Sequence, residues 1–370
     1  MRDPFPIPPP PAIAEHVQAL ANKAGLQVLH LHFHEVVFAF LLYHVTYKYI
    51  SPVISRIFFP QIYTSFNART KLNWDVHVVS FVQSTLINIL ALYVMWQDKE
   101  RAGMDWRGKV LGYTGGSGLI QGMATGYFVW DLVITVQHLE IFGVGMLAHA
   151  ISALFVFSLG FRPFVNYYAP VFILYELSSP FLNIHWFCDK LNLTGGRFQL
   201  VNGIMLLLTF FSARLVYGTY QSVRVFSDIY QTIRHNSVLT DPEVGKAAPL
   251  DDVMQFAGER AIPLWLPLCY LASNLTLNGL NWFWFEKMIA TLRKRFDPPF
   301  GTRKPEIKLP EKVPEEEMVL VEGTALATPG VNAADESGKD YISSVQVEKA
   351  GSVLKVQQTE VRNRTARRRG

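Results

Sequence analysis

The sequence predicts an all-α integral membrane protein, a bundle of about seven transmembrane helices. Hydrophobic residues make up 50% of the chain and charged residues only 17%, whereas soluble domains carry about a quarter charged residues. The chain also contains a series of apolar stretches close to the roughly 20 residues that cross a bilayer. These observations together predict a protein that crosses the membrane several times.

The apolar stretches define the predicted bundle. They cover residues 33–54, 76–96, 119–138, 142–160, 164–185, 200–222 and 263–290. The bundle therefore extends over 33–295. A polar loop at 223–262, which contains Asp241-Pro242 and Asp251-Asp252, is expected to lie outside the membrane.

The two ends of the chain differ from the bundle in composition. Within residues 1–32, the side chains of Ile13, Val17, Leu20, Ala24 and Leu31 fall close to one helical face, which predicts a short amphipathic helix at the membrane interface. The start is proline-rich, and no secretory signal is predicted there. Residues 296–370 are rich in Pro, Glu, Lys, Ser and Val, with few aromatics, and predict a disordered tail.

Charge and cysteine content exclude other classes of protein. The net charge of +4 comes largely from segment ends and from Arg362 to Arg369, so we expect membrane anchoring and no nucleic-acid partner. Arg293-Lys294-Arg295 favours a cytosolic C-terminus. Cys188 and Cys269 are far apart, and neither a disulfide framework nor a zinc site is indicated.

Four predicted spans carry polar side chains along one helical face. Such side chains are costly inside a bilayer unless they face a cavity or a partner. For the Ser and Asn residues, hydrogen-bonded contact between helices is the favoured explanation, with ligand binding kept as the alternative. The faces are His77, Ser80, Ser84 and Asn88; Tyr127, Asp131 and His138; Tyr168, Phe172, Glu176, Ser179 and Asn183; and Asn274, Asn278 and Asn281.

The ionisable residues share a depth. With a rise of 1.5 Å per residue, Asp131 lies about 13 Å and His149 about 10 Å from the turn that joins their helices. From the next turn, His149 lies about 19 Å deep and Glu176 about 21 Å. Arg214 lies within about 7 Å of Glu176 in depth and is the predicted counter-charge. We interpret these residues as a functional site, because buried carboxylates are rare without a role.

Histidines also gather at the first membrane boundary, at His30, His32, His34 and His44. Their spacing is not that of a tight ligand set. We therefore predict neutral interfacial residues there and no metal site.

Several stretches resemble the TLC-domain membrane proteins, the family that includes the ceramide synthases, over about residues 70–295. The segment from Glu176 to Phe187, ELSSPFLNIHWF, resembles the family pattern E-x-S-[ST]-P-F-x-N-x-R-W, with His185 in place of the usual Arg. The helix GYFVWD at 126–131, Asn202-Gly203 followed by Phe210-Phe211 and Arg214, and LNGLNWFWF at 277–285 resemble further family segments. The likeness is strongest to the small transmembrane TLC-domain proteins.

This resemblance implies a possible acyltransfer chemistry. In ceramide synthases a His-His pair followed by a hydroxyl acts on the acyl group. Here His149 and Ser152 match the second His and the hydroxyl, while Ala148 stands at the first His. A lone His149 would have to serve as both nucleophile and base, or recruit Asp131 to orient it.

The sequence therefore predicts a membrane protein of the endoplasmic reticulum that acts in lipid homeostasis. It would bind an acyl-chain lipid in a cavity of the bundle. Whether it is an enzyme stays open; if it is, the resemblance implies a sphingolipid-type acyltransferase with acyl-CoA as co-substrate and no resident cofactor. A non-catalytic lipid-binding regulator and a lipid or proton-coupled transporter are the alternatives, and oligomerisation is left open. The candidate catalytic residues are His149 and Asp131, and the candidate substrate-binding residues are Glu176, Arg214, Ser152, Ser179, Asn183, Asn278 and Asn281.

Overall fold

Helices make up every regular element in the computed structural model, which describes residues 1–235, 252–257 and 262–296. Five helical stretches in those ranges are long and apolar enough to cross a membrane. They confirm the predicted helical, multi-pass architecture, while the count of seven spans stays a prediction. The five stretches are Leu29–Phe58, Ala68–Gln97, Trp106–Gln137, Leu139–Leu159 and Arg197–Arg234.

We label the longer helices in chain order. Shorter helices connect them, and the stretch Trp106–Gln137 consists of a short helix, Trp106–Leu111, followed by α4. The labels are α1, Pro11–Ala24; α2, Leu29–Phe58; α3, Ala68–Gln97; α4, Gly115–Gln137; α5, Leu139–Leu159; α6, Ser179–Lys190; α7, Arg197–Arg234; and α8, Trp265–Phe296.

Local sequence signals fix the ends of several helices. The Asn67 side chain accepts a hydrogen bond from the Thr70 backbone N–H at 2.8 Å and caps the start of α3. Thr114 caps α4 in the same way. Gly25, at φ 71°, ends α1 in the left-handed conformation that glycine adopts without steric cost.

Helix α4 packs closely against α2 through a stripe of glycines at every fourth position. A Cβ atom on Gly126 would lie 2.4 Å from the carbonyl oxygen of Val36, and one on Gly122 would lie 2.5 Å from Glu35 Oε2. Because no larger residue fits at these positions, the glycines determine how closely α2 and α4 can pack. The stripe comprises Gly118, Gly122 and Gly126.

The predicted span 164–185 is not one continuous α-helix. It consists of the 3₁₀ turn Asn166–Tyr168, the α-helix Ala169–Phe172, the 3₁₀ helix Ile173–Ser178 and the start of α6. Pro170 and Pro180 each lie in the first turn of a helix, where the missing N–H is tolerated, and each restricts the residue before it. Glu176 therefore lies in a 3₁₀ turn.

The predicted bounds of the last two spans, 200–222 and 263–290, also differ from the structure. Helix α7 continues to Arg234, so the loop predicted to start at 223 begins later. Its final turns are amphipathic and bury Val225, Ile229 and Thr232, which a search for apolar stretches misses. Helix α8 extends beyond the predicted 263–290 and lies outside the five apolar stretches. The rest of the predicted loop and the predicted tail lie mostly outside the described residues.

The N-terminal region contains the predicted short helix. Helix α1 exposes Ile13 and Leu20 and buries Ala21. Ahead of it, the Gly115 backbone N–H donates to the carbonyl oxygen of Met1, so the start of the chain lies against the N-terminal end of α4.

Candidate functional site

A cavity of about 110 Å³ lies among α4, α5, residues 165–176, α7 and α8. Helix α5 lines it along one face, at positions that recur at helical spacing. Most of the lining is aliphatic or aromatic, as is usual for small-molecule sites. The lining residues from α5 and from the residue that follows it are His149, Ala153, Val156, Phe157 and Gly160.

Some of the polar groups at the cavity are hydrogen-bonded to the protein. Tyr168 Oη donates to Asp228 Oδ2 at 2.5 Å. The Gln121 amide crosses over Gly160 and donates to the carbonyl oxygen of Phe157 at 2.6 Å. These contacts fix part of the wall.

A buried charged group lies beside the cavity. Asp131 is fully buried, Glu176 is 6% exposed and Arg214 is 1% exposed. Glu176 interacts electrostatically with both Arg214 and Asp131, and Arg214 also acts on the His149 ring. The structure thus brings together the four ionisable residues that the depth estimate grouped.

Arg214 lies in a π-helical turn of α7, Phe211–Tyr217. Such turns occur frequently at functional sites. Its guanidinium donates hydrogen bonds to Ser178 Oγ at 3.2 Å, Asn281 Oδ1 at 3.3 Å and Ser179 Oγ at 3.4 Å. Two of the predicted binding residues, Ser179 and Asn281, therefore hold Arg214 in place.

The other buried groups of this set make few hydrogen bonds. Within the described part of the chain, both carboxylate oxygens of Asp131, both ring nitrogens of His149 and Oε2 of Glu176 are buried without a hydrogen-bond partner. Asp131 and His149 are consequently not hydrogen-bonded to each other, and the expected orienting contact is absent. The depth estimate gives the position of a residue along its helix but not the direction in which its side chain points. Two residues at similar depth can therefore face different neighbours.

Three predicted residues lie away from the cavity. Ser152 is half-exposed on α5 and does not line it. Asn183 accepts from His77 Nδ1 at 2.6 Å and donates to Ser80 Oγ at 2.9 Å, which joins α6 to α3. Asn278 donates to Ser222 Oγ at 3.2 Å and joins α8 to α7. The Asn183 and Asn278 contacts are the interhelical hydrogen bonds that the sequence analysis kept as the favoured explanation.

Sequence reasoning missed several cavity residues. Gln121 is an amide near the start of an apolar span, and this polar residue was a signal for the site. Tyr270 and Asn274 line the cavity from α8. Asn274 lies on the predicted polar face of the last span, but which residues of that face reach the cavity depends on the neighbouring helices.

A cationic side chain fixes the segment that carries Glu176. Arg101 packs over the Tyr167 ring at 4.0 Å and donates from Nε to the Tyr167 carbonyl oxygen at 3.2 Å. Burial lowers the pKa of Arg101, although a guanidinium keeps its proton at neutral pH. This contact holds the start of the segment against the end of the bundle.

The apolar helices and the buried charged groups define a multi-pass membrane protein with a cavity among its helices. The TLC-domain profile matches residues 73–290, more than half of the chain, and this protein belongs to the TLC-domain family. The matched region begins inside α3, so α1 and α2 lie outside it.

Similar curated proteins carry the same domain. An uncharacterised TLC domain-containing protein of Schizosaccharomyces pombe is 38% identical over 77% of this chain and 87% of its own length. Topoisomerase I damage affected protein 4 of Saccharomyces cerevisiae is 27% identical over 77% of this chain and 92% of its own. Human TLC domain-containing protein 4 is 27% identical over 51% of this chain and 73% of its own. No solved structure matches.

Proposed function

We propose that this protein binds an acyl-chain lipid in the cavity between α5 and α7 and acts in membrane lipid homeostasis in the endoplasmic reticulum. The observation that carries the proposal is a largely apolar cavity with His149 and Glu176 on its wall. An acyl chain suits the aromatic and aliphatic lining. A polar headgroup suits the buried groups that lack hydrogen-bond partners, because it would supply those partners.

The proposal includes a topology of seven crossings with a cytosolic C-terminus. Helix α8 is 32 residues long, about 48 Å, and is long enough to cross despite its polar side chains. Residues 166–190 would form the remaining crossing, their irregular turns surrounded by protein. Asn192-Leu193-Thr194 then faces the cytosol. We expect no glycan there, and a glycan at Asn192 would reverse the orientation.

Lipid binding can be tested with a matched pair of substitutions on α5. Ala153 lines the cavity, whereas Ile151 is 50% exposed on the outer face. We expect Ala153→Phe to reduce crosslinking of a photoreactive acyl lipid to cavity residues at least tenfold, and Ile151→Phe to leave it unchanged. The measurement is peptide mapping after irradiation of protein in nanodiscs. Equal crosslinking in both variants would contradict a ligand in this cavity.

A second candidate, acyl transfer, is favoured by the two unpartnered ring nitrogens of His149 on the cavity wall. A neutral imidazole nitrogen would attack the thioester carbon of acyl-CoA and release the CoA thiol. The acyl group would then pass from the ring to a lipid amine or hydroxyl, whose proton returns to the ring. Asp131 has no hydrogen bond to His149, so non-catalytic binding remains the first choice.

Turnover separates the two candidates. Purified protein is supplied with acyl-CoA and either long-chain bases or lysolipids, and His149→Ala is compared with Ser152→Ala. Loss of turnover in His149→Ala alone would establish the transferase. Turnover unaffected by His149→Ala would remove His149 from the chemistry. Retained lipid binding without turnover would establish a regulator or carrier, and proton-dependent lipid movement in vesicles would identify a transporter.

A further inference from the structure

Two histidines and two carboxylates meet where the N-terminal segment contacts the start of α2. They lie on a different face of α4 from the one that lines the cavity, and outside the TLC-domain match. One ligand atom each from Asp3, His34 and Glu35 all lie within 4.8 Å of one another. His34 Nε2 is 3.9 Å from Glu35 Oε1.

His32 orients the Glu35 carboxylate. Its Nδ1 lies 2.9 and 3.0 Å from the two carboxylate oxygens, and its Nε2 lies 2.6 Å from Tyr113 Oη. Because a carboxylate only accepts, Nδ1–H donates to Glu35 and the Tyr113 hydroxyl donates to Nε2. A Cβ on Gly118 would lie 2.2 Å from His32 Nε2. The absence of a side chain at Gly118 therefore leaves space on α4 for the His32 ring, which bonds to Glu35.

The cluster places a buried acid, Glu35, beside a partly exposed one, Asp3. Glu35 is fully buried, and its carboxyl group contacts that of Asp3. The His34 side chain is 8% exposed, and neither ring nitrogen makes a well-formed hydrogen bond in the described residues, although the Ile7 carbonyl lies close. Two adjacent carboxylates repel unless a proton or a cation lies between them.

We propose that Asp3, His34 and Glu35 bind one divalent cation of the zinc class, with His32 and Tyr113 as the groups that orient Glu35. Imidazole nitrogen and carboxylate oxygen are ligands of Zn²⁺ at about 2.0–2.2 Å. Atoms bound at that distance in a tetrahedron lie about 3.4 Å apart, so each ligand atom needs to move by less than about 1 Å. The two carboxylates would neutralise the ion, and buried charge requires such balance.

The ion would fasten the N-terminal segment to α2, in addition to the contact of the Phe5 ring with His34 at 5.3 Å. This site was not expected from the sequence. His32 and His34 are two residues apart and point to different sides of one helix, and Asp3 comes from a distant part of the chain. The spacing of the histidines within α2 therefore does not by itself predict a set of metal ligands.

Metal content tests the site directly. Full-length protein, purified in detergent without a polyhistidine tag, is stripped with a chelator, dialysed against Zn²⁺ and analysed by mass spectrometry of the metal. We expect one equivalent of zinc in the unchanged protein. The matched control is His30→Ala, because His30 lies on the same turn but contacts the Gln27 carbonyl oxygen. This control should keep the metal.

The variants Asp3→Asn and His34→Ala should bind zinc at least tenfold more weakly. A second measurement, hydrogen exchange of residues 3–8, should slow on zinc addition in the unchanged protein and in His30→Ala, but not in those two variants. If Glu35→Gln fails to fold, Asp3→Asn still tests the site, because Asp3 is 28% exposed. No stoichiometric zinc, or equal zinc in all variants, would overturn the proposal.

Discussion

Two buried polar clusters in the bundle carry similar residues but differ in their hydrogen bonding. In the first, Asn183 accepts a hydrogen bond from His77 Nδ1 and donates one to Ser80 Oγ, and the His77 ring stacks on Trp186 at 3.9 Å, while His77 Nε2 has no hydrogen-bond partner among the described residues. In the second, Asp131 and His149 are equally buried and lack hydrogen-bond partners within the described residues. The first cluster fastens α3 to α6, and the second lies beside a cavity.

The comparison teaches that a shared polar face on a helix does not by itself mark a site. Both clusters showed such faces in the sequence. The distinguishing property is how many of the polar atoms the protein satisfies, since His77 keeps one hydrogen bond to Asn183 whereas the side chains of Asp131 and His149 make none, and an unsatisfied buried group is costly and needs an explanation. The predictions below act on the two clusters in order of expected effect.

The largest effect is expected from Arg214→Met. This change removes the buried guanidinium that interacts electrostatically with Glu176 and donates to Ser178, Ser179 and Asn281, and removing one partner from a buried charged network costs about 3–5 kcal/mol of the free energy of unfolding. The measurement is reversible unfolding of purified protein in mixed micelles. Adding Glu176→Gln to Arg214→Met should recover part of the loss, and a strictly additive double variant would argue against the pair.

A smaller effect is expected from Asn183→Leu. His77 Nδ1 and Ser80 Oγ lose their partner, which costs about 1–3 kcal/mol. Lipid crosslinking in the cavity should not change, because Asn183 does not line it. The same unfolding and crosslinking measurements check both statements. A loss of crosslinking at unchanged stability would move Asn183 into the ligand site.

Replacement of His149 by Leu should change the free energy of unfolding by less than about 1 kcal/mol in either direction. Neither ring nitrogen has a hydrogen bond to lose, and an apolar side chain of similar size suits the lining. Any imidazole-dependent turnover should disappear. A stability loss as large as that of Asn183→Leu would mean that His149 is a structural residue.

The smallest effect is expected from Ser152→Ala. Ser152 is half-exposed and does not line the cavity, so stability should stay within about 0.5 kcal/mol and lipid crosslinking should not change. The same two assays measure this. Loss of turnover in this variant would restore the hydroxyl role that the family resemblance implied.

The sequence predicted the helical class and the approximate positions of α2, α3, α4, α5 and α7, because long apolar stretches carry that information directly. It also grouped Asp131, His149, Glu176 and Arg214, which interact electrostatically in the structure. It did not predict the 3₁₀ turn that holds Glu176, since the two prolines act through local backbone restriction rather than hydropathy.

The rotation of each helix about its own axis was the main property that the sequence could not predict. Asp131 and His149 are both buried without a hydrogen bond between them, and Ser152 does not line the cavity. Rotation is set by neighbouring helices, as the fit of Glu35 against Gly122 illustrates. A single sequence records that fit only as a regularly spaced set of glycines.

Helix α7 extends well beyond the bilayer. Its 38 residues span about 57 Å, nearly twice the roughly 30 Å hydrocarbon core. Val225 and Phe226 form part of the cavity wall, and Arg234 lies only about 12 Å further along the same rigid rod. Because the helix is continuous between these residues, a displacement of its Arg234 end would move this part of the cavity wall with it.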